Sequence, residues 1–207
     1  MLRGSQTVAG VVRKLRHNVR TKPVARRASA SGFGEDTRSA VLPTASDRRE
    51  SMIRAVVCAY DAIVSQPGGL RAGAEDFIRC CAQRFPLLLT APGSYTDNRT
   101  SLAALGLAPL FLDVLGEAEV ERRQPAPDLL IATLGRIGFL LRDRNPLEPP
   151  ECLVVDCSPA GIEAARRARM RSLAIAHSVP AAALTAADFV RDSFVAVDLD
   201  EILRGCA

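Results

Sequence analysis

Residues 151–170 read ECLVVDCSPAGIEAARRARM, and their chemistry runs in the order of a buried strand feeding directly into a helix. Cys152–Asp156 is an almost unbroken apolar run closed by a carboxylate, the pattern of a strand covered on both faces rather than one with a wet side. Ser158 offers an oxygen that can cap a helix, and Pro159 stands at the first helical position, where a missing N–H costs nothing. The alanine-rich stretch that follows, to Met170, has the periodicity of an amphipathic helix. A strand that turns at once into a helix is half of a parallel crossover.

The same alternation recurs outward in both directions. Strands are expected at Ile53–Cys58, Pro86–Thr90, Leu110–Leu115, Cys152–Asp156, Ser172–Ala176 and Phe194–Val197. Helices are expected at Ala72–Arg84, Asn98–Leu105, Ala126–Phe139, Pro159–Met170 and Ala181–Phe189. Strand alternating with helix gives an α/β fold: a three-layer α/β/α sandwich on a mainly parallel, Rossmann-like sheet. Open sheets of this kind bind ligands beyond the carboxyl ends of their strands. The positions to inspect are therefore Ala59–Ala62, Thr90–Ser94, Gly116–Glu119 and Asp156–Ser158.

Composition narrows the class. Of 207 residues 48% are hydrophobic, enough for a sizeable core, yet no run reaches the ~18–20 apolar residues that span a bilayer. There is no tryptophan, which argues against stacking platforms for single strands. The six cysteines form no CxxC pair and sit mostly in apolar runs, as buried thiols of a reducing compartment do. Charge is uneven: residues 1–34 carry eight basic side chains and no acidic one, more than the +4 of the whole chain, so the remainder is net acidic. Residues 1–33 are expected to be a basic organellar targeting segment, mitochondrial with a plastid address as the alternative. Arg13, Lys14, Arg16, Arg20, Arg26 and Arg27 also suit RNA phosphates, and a solvated tail is a third reading. Residues 34–50 read as a linker and 51–207 as the folded domain.

The strand ends resemble the haloacid-dehalogenase (HAD) superfamily, especially its phosphatase and sugar-phosphate mutase branch. Residues 151–170 are similar to that branch's fourth motif, QPAPD at 124–128 to its KPAPD, LLLTAPGS at 87–94 to its second motif, and MIRAVVCAYDAIV at 52–64 to its DxDG-type first motif. Four motifs in order, at compatible spacing, make the resemblance specific. It implies an aspartate nucleophile where Ala59 stands, a general acid/base at Asp61, a hydroxyl donor at Thr90 and a lysine where Gln124 stands. It implies magnesium held by adjacent acids, which here read Asp156 and Cys157. Only Ser65–Phe85 separates the first two motifs, room for one helix, so the family's substrate cap is expected to be minimal or absent. Arg169 takes the place of the glycine that usually ends the fourth-motif helix.

A methyl group cannot attack phosphorus, an amide carries no charge, and a thiol is a poor magnesium ligand. On those grounds the sequence reads as a protein without enzymatic activity or cofactor, an accessory subunit of an organellar assembly such as a ribosome or respiratory-chain complex. The alternatives are a divergent phosphatase of a small phosphate ester and an RNA-binding accessory protein that uses the basic arm. Cys58 and Cys157 read as buried small residues rather than replacement nucleophiles, and His177 as a loop histidine satisfied by solvent. Arg122, Arg123, Arg142, Arg144, Arg166, Arg167, Arg169 and Arg171 read as solvated surface, with contact to RNA or an acidic subunit as the rival.

Overall fold

The computed structural model describes residues 53–65, 68–93, 95–142 and 146–206, so the expected leader and linker, Ser94 and Arg144 lie outside it. Strands β1 (Ala55–Ala59), β4 (Leu87–Ala91), β5 (Asp113–Gly116), β6 (Cys152–Asp156), β7 (Arg171–Ile175) and β8 (Phe189–Arg191) form one sheet in the order β5-β4-β1-β6-β7-β8. Every pairing in it is parallel. The chain steps from β1 outward through β4 to β5, returns past β1 to β6, and continues to β8. The reversal opens a crevice at the carboxyl ends of the central strands, where open α/β sheets hold ligands.

The continuous apolar runs resolve into two buried faces. Val56, Cys58, Leu87, Leu89, Leu153, Val155, Leu173 and Ile175 pack on one side with residues of α2 (Ala74–Arg84), α3 (Tyr95–Ala104) and α6 (Leu199–Gly205). Their neighbours Ala55, Val57, Leu88, Cys152 and Val154 face α4 (Asp128–Leu141) and α5 (Pro159–Ala168). Because side chains alternate along a strand, a run apolar at every position is what two covered faces require. Each fully buried leucine or valine contributes about 1.5–3 kcal/mol.

The carboxyl-terminal part departs from expectation. Phe194–Ala196 is a 3-10 turn, not a strand, and the sixth strand comes earlier, at Phe189–Arg191. The helix expected at Ala181–Phe189 is a 3-10 turn over Ala181–Leu184 only. Ala181–Leu184 lacks a side-chain cap, whereas Asp188 accepts from both the amide and the hydroxyl of buried Ser172 and so pulls the chain onto β7 as an extended edge. Two small elements follow β1 unannounced by periodicity: a single turn α1 (Tyr60–Ile63) and an antiparallel hairpin of β2 (Val64–Ser65) and β3 (Gly69–Leu70). Between β3 and β4 the chain forms α2.

Candidate active site

β1 delivers the first site residue by ending where it does. Ala59 is the last residue of the strand and the extended N-cap of α1, so the chain turns sharply and leaves Asp61 exposed in the helix's first turn while Ala62 and Ile63 are buried. In register beside Ala59 on the neighbouring strand stands Thr90, 4% exposed. The turn after it passes through Gly93 at φ 83°, a left-handed conformation that glycine adopts freely. That turn presses on the end of β5 so closely that a methyl group on Gly116 would overlap the Gly93 carbonyl.

On the other side of β1, Asp156 ends β6 and is 3% exposed. Its Oδ1 accepts from the amides of Cys157 (2.7 Å) and Ser158 (2.9 Å) and from the Ser158 hydroxyl (2.9 Å). Ser158 Oγ in turn accepts from the Gly161 amide at 3.0 Å, so one hydroxyl both caps α5 and holds the carboxylate. Burial pushes the Asp156 carboxyl up, the Ser158 and Cys157 bonds oppose this, and the Asp61 charge adds to it. Burial likewise raises the Cys157 thiol, to about 11, with the Asp156 charge second, so the thiolate is scarce at neutral pH. Cys58 lies wholly in the core with its thiol pushed to about 12, as the alternation of strand side chains requires.

All six positions singled out from the sequence, Ala59, Asp61, Thr90, Gln124, Asp156 and Cys157, line one cavity of about 680 Å³. That volume suits a small molecule. Ala91, Pro92 and Ser158 line the same cavity.

Sequence reasoning missed Arg71 and Ser178. Arg71 follows β3, lines the cavity, and is held there by two bonds: its amide donates to the Ile63 carbonyl at 3.0 Å and its Nε to the Asp61 main-chain carbonyl at 3.2 Å. The Gly68–Gly69 pair signals a turn, but no local pattern shows that the hairpin folds back on α1. Ser178 also lines the cavity, and its hydroxyl lies 2.6 Å from His177 Nδ1. His177 is therefore engaged by a side chain and partly buried, not satisfied by solvent alone. Burial lowers its pKa, aided by the Arg71 charge and opposed by the Ala62 backbone and Asp61.

Of the surface arginines, Arg122, Arg123, Arg166, Arg167 and Arg171 each face a carboxylate, respectively Asp128, Glu117, Glu163, Glu163 and Asp188. The Glu163 carboxyl is held down at about 2 by its bonds to Arg166 and then Arg167.

No protein-family model matches the chain. In fold it resembles the β-phosphoglucomutase of Clostridium difficile, with a TM-score of 0.54 at 19% identity over 66% of this chain and 56% of that one. The chain has the haloacid-dehalogenase fold. Among curated proteins, a HAD-type relative is the chloroplastic 5-amino-6-(5-phospho-D-ribitylamino)uracil phosphatase of Arabidopsis thaliana, 25% identical over 137 residues, which are 64% of this chain and 35% of that protein. The chloroplastic protein SUPPRESSOR OF QUENCHING 1 of the same plant is 30% identical over 108 residues, 51% of this chain and 10% of that protein. The chain thus spans about a third and a tenth of the lengths of these two relatives. The expectation of a protein without enzymatic activity is overturned here: a curated relative over 64% of the chain is named as a phosphatase. The accessory-subunit reading loses its ground with it, and the phosphatase alternative fits better.

The HAD resemblance implies magnesium, and the donors can be tested against that ion. Magnesium takes hard oxygen ligands in a tight octahedron. Here position 59 offers a methyl, Cys157 a protonated thiol, and Asp156 Oδ1 is already saturated by three donors. The Asp61 carbonyl already accepts from a guanidinium, and the Asp61, Glu117 and Asp156 carboxylates line the cavity without converging on one point. Among the described residues, no three His, Cys, Asp or Glu side chains converge as a metal ligand set. The donors do not fit the ion.

Proposed function

We propose that this chain is a divergent HAD-type phosphatase that hydrolyses a small phosphate ester. The observation that carries the reading is the convergence of Asp61, Thr90 and Asp156 on one cavity at the carboxyl edge of the sheet. The Thr90 hydroxyl and the turn amides of residues 91–93 receive the phosphoryl oxygens, donating where negative charge grows in the transition state. With a methyl at position 59 no phosphoryl group is carried on the protein, so water attacks phosphorus directly. The water's proton passes to the Asp61 carboxylate, the bond from phosphorus to the ester oxygen breaks, and the proton goes on to the departing alcohol. Ester and water become alcohol and inorganic phosphate. Asp156, buried and bonded to Ser158, fixes the Cys157–Ser158 turn that forms one wall.

The chloroplastic names of both curated relatives favour a plastid address over the mitochondrial one expected from the leader. Purified full-length protein assayed with a panel of small phosphate esters tests the activity. Turnover is expected, and Asp61→Asn should lower it by about 10²–10⁴-fold, the usual range for a general acid/base. Absence of turnover across the panel, or turnover indifferent to Asp61→Asn, sinks the reading.

A further inference from the structure

Both sources of positive charge that the resemblance implies, a lysine and magnesium, are changed at the level of side-chain chemistry. Gln124 is neutral where a lysine is implied, and the surroundings of Asp156 and Cys157 do not suit magnesium. The wall nevertheless carries three carboxylates, Asp61, Glu117 and Asp156. A phosphate dianion would be repelled from such a wall, since like charges oppose each other at close range even in a polar medium.

Arg71 is the single Lys or Arg among the described residues lining that cavity. We propose that the Arg71 guanidinium is the phosphate-binding cation of this site, doing without metal what lysine and magnesium together are implied to do. Three observations converge on it. The Nε–H bond to the Asp61 carbonyl places the guanidinium beside the acid/base residue. Its main-chain anchor on Ile63 fixes the root of the side chain through the β2–β3 hairpin. The side chain is also half-buried and lines the same cavity as Thr90, Gln124 and Cys157, so it belongs to the site rather than to open surface. With Nε engaged, the two terminal amino groups of the planar fork remain to meet two phosphoryl oxygens, a geometry that suits guanidinium and not ammonium. The ligand this selects is a phosphate monoester or free phosphate presented without a bound divalent ion.

The inference deepens the phosphatase reading, and rests on it for its catalytic meaning, but it is testable by binding alone. Inorganic phosphate is titrated calorimetrically into the full chain, once with excess EDTA and once with excess magnesium, for wild type, Arg71→Lys and Arg71→Gln. Wild type should bind equally well in both buffers. Arg71→Gln should weaken binding about tenfold or more, as loss of a charged hydrogen-bond pair does, and Arg71→Lys should recover part of it. Thermal melting of the variants, expected to stay near wild type, separates a lost contact from a lost fold. Should a variant melt early, protection of wild-type Arg71 by phosphate against modification with phenylglyoxal tests the same contact. Phosphate binding that appears only with magnesium, that ignores Arg71→Gln, or that is absent altogether overturns the proposal. Binding through Arg71 without ester turnover in any variant leaves this inference standing and removes the phosphatase reading.

Discussion

Single residues set the dimensions of the site. Gly161 sits so near Asp156 that an added methyl would overlap the carboxylate, whose Oδ1 is held in place by three bonds from Cys157 and Ser158. Gly161→Ala should therefore cost about 1–3 kcal/mol, the usual penalty of overpacking, and lower phosphate-ester turnover as well. Chemical denaturation together with the ester assay checks both halves. Arg169 presents the opposite case. It ends α5 in the left-handed region, at φ 60°, where a side chain is strained and glycine is not. Arg169→Gly should stabilise the fold by about 0.5–1 kcal/mol, less whatever the freer unfolded chain takes back, and should leave turnover unchanged. His177 gives a pH signature. Because its pKa is lowered on folding, the folded state binds protons less readily than the unfolded one near and below about pH 6.5. Stability should fall as pH drops through that window, and the drop should be smaller in His177→Asn when melting is followed at several pH values.

At the scale of elements, the edge of the sheet depends on a polar link rather than on apolar area. β8 is only three residues long and each is partly exposed, so few buried contacts hold it. Asp188, one residue before it, accepts from the amide and the hydroxyl of Ser172 at 2.8 and 2.9 Å, returns its own amide to that hydroxyl at 3.1 Å, and pairs with Arg171 at 3.2 Å. Asp188→Ala should strand the buried Ser172 donors and cost about 1–3 kcal/mol. Amide exchange should then rise first in residues 189–191 and only later in β1 or β6, since local opening follows the weakest contacts. The hairpin is the counterpart at the site. Two two-residue strands would not persist alone, yet they bring Arg71 back over α1 because that short turn offers the Ile63 and Asp61 carbonyls as acceptors.

For the molecule as a whole, the sheet supplies a general phosphate-facing edge and the chain decides its charge. If Arg71 carries the positive charge, a second cation at the position the resemblance assigns to lysine should add to it. Gln124→Lys is expected to tighten inorganic phosphate binding by about tenfold, with titration calorimetry as the check. No tightening would show that Gln124 lies too far around the cavity wall for an ammonium to reach the anion.

What the sequence determined by itself was the architecture and the identity of the strand-end residues. Parallel strands buried on both faces leave an unmistakable trace, apolar at every position from Val56 to Cys58, Leu87 to Leu89 and Cys152 to Val155, and the residue that closes each run must stand at the same edge. Ala59, Thr90 and Asp156 were legible for that reason. Elements held by polar contacts left no such trace: β8 rests on Asp188, and the hairpin on carbonyls that any sequence possesses. The tertiary structure alone decided that Arg71, ten residues beyond Asp61, folds back onto its carbonyl, and that Ser178 joins His177 beside the cavity. Periodicity reports which side chains leave water, whereas a hydrogen bond between distant polar groups depends on where the chain happens to return, and that is a property of three dimensions.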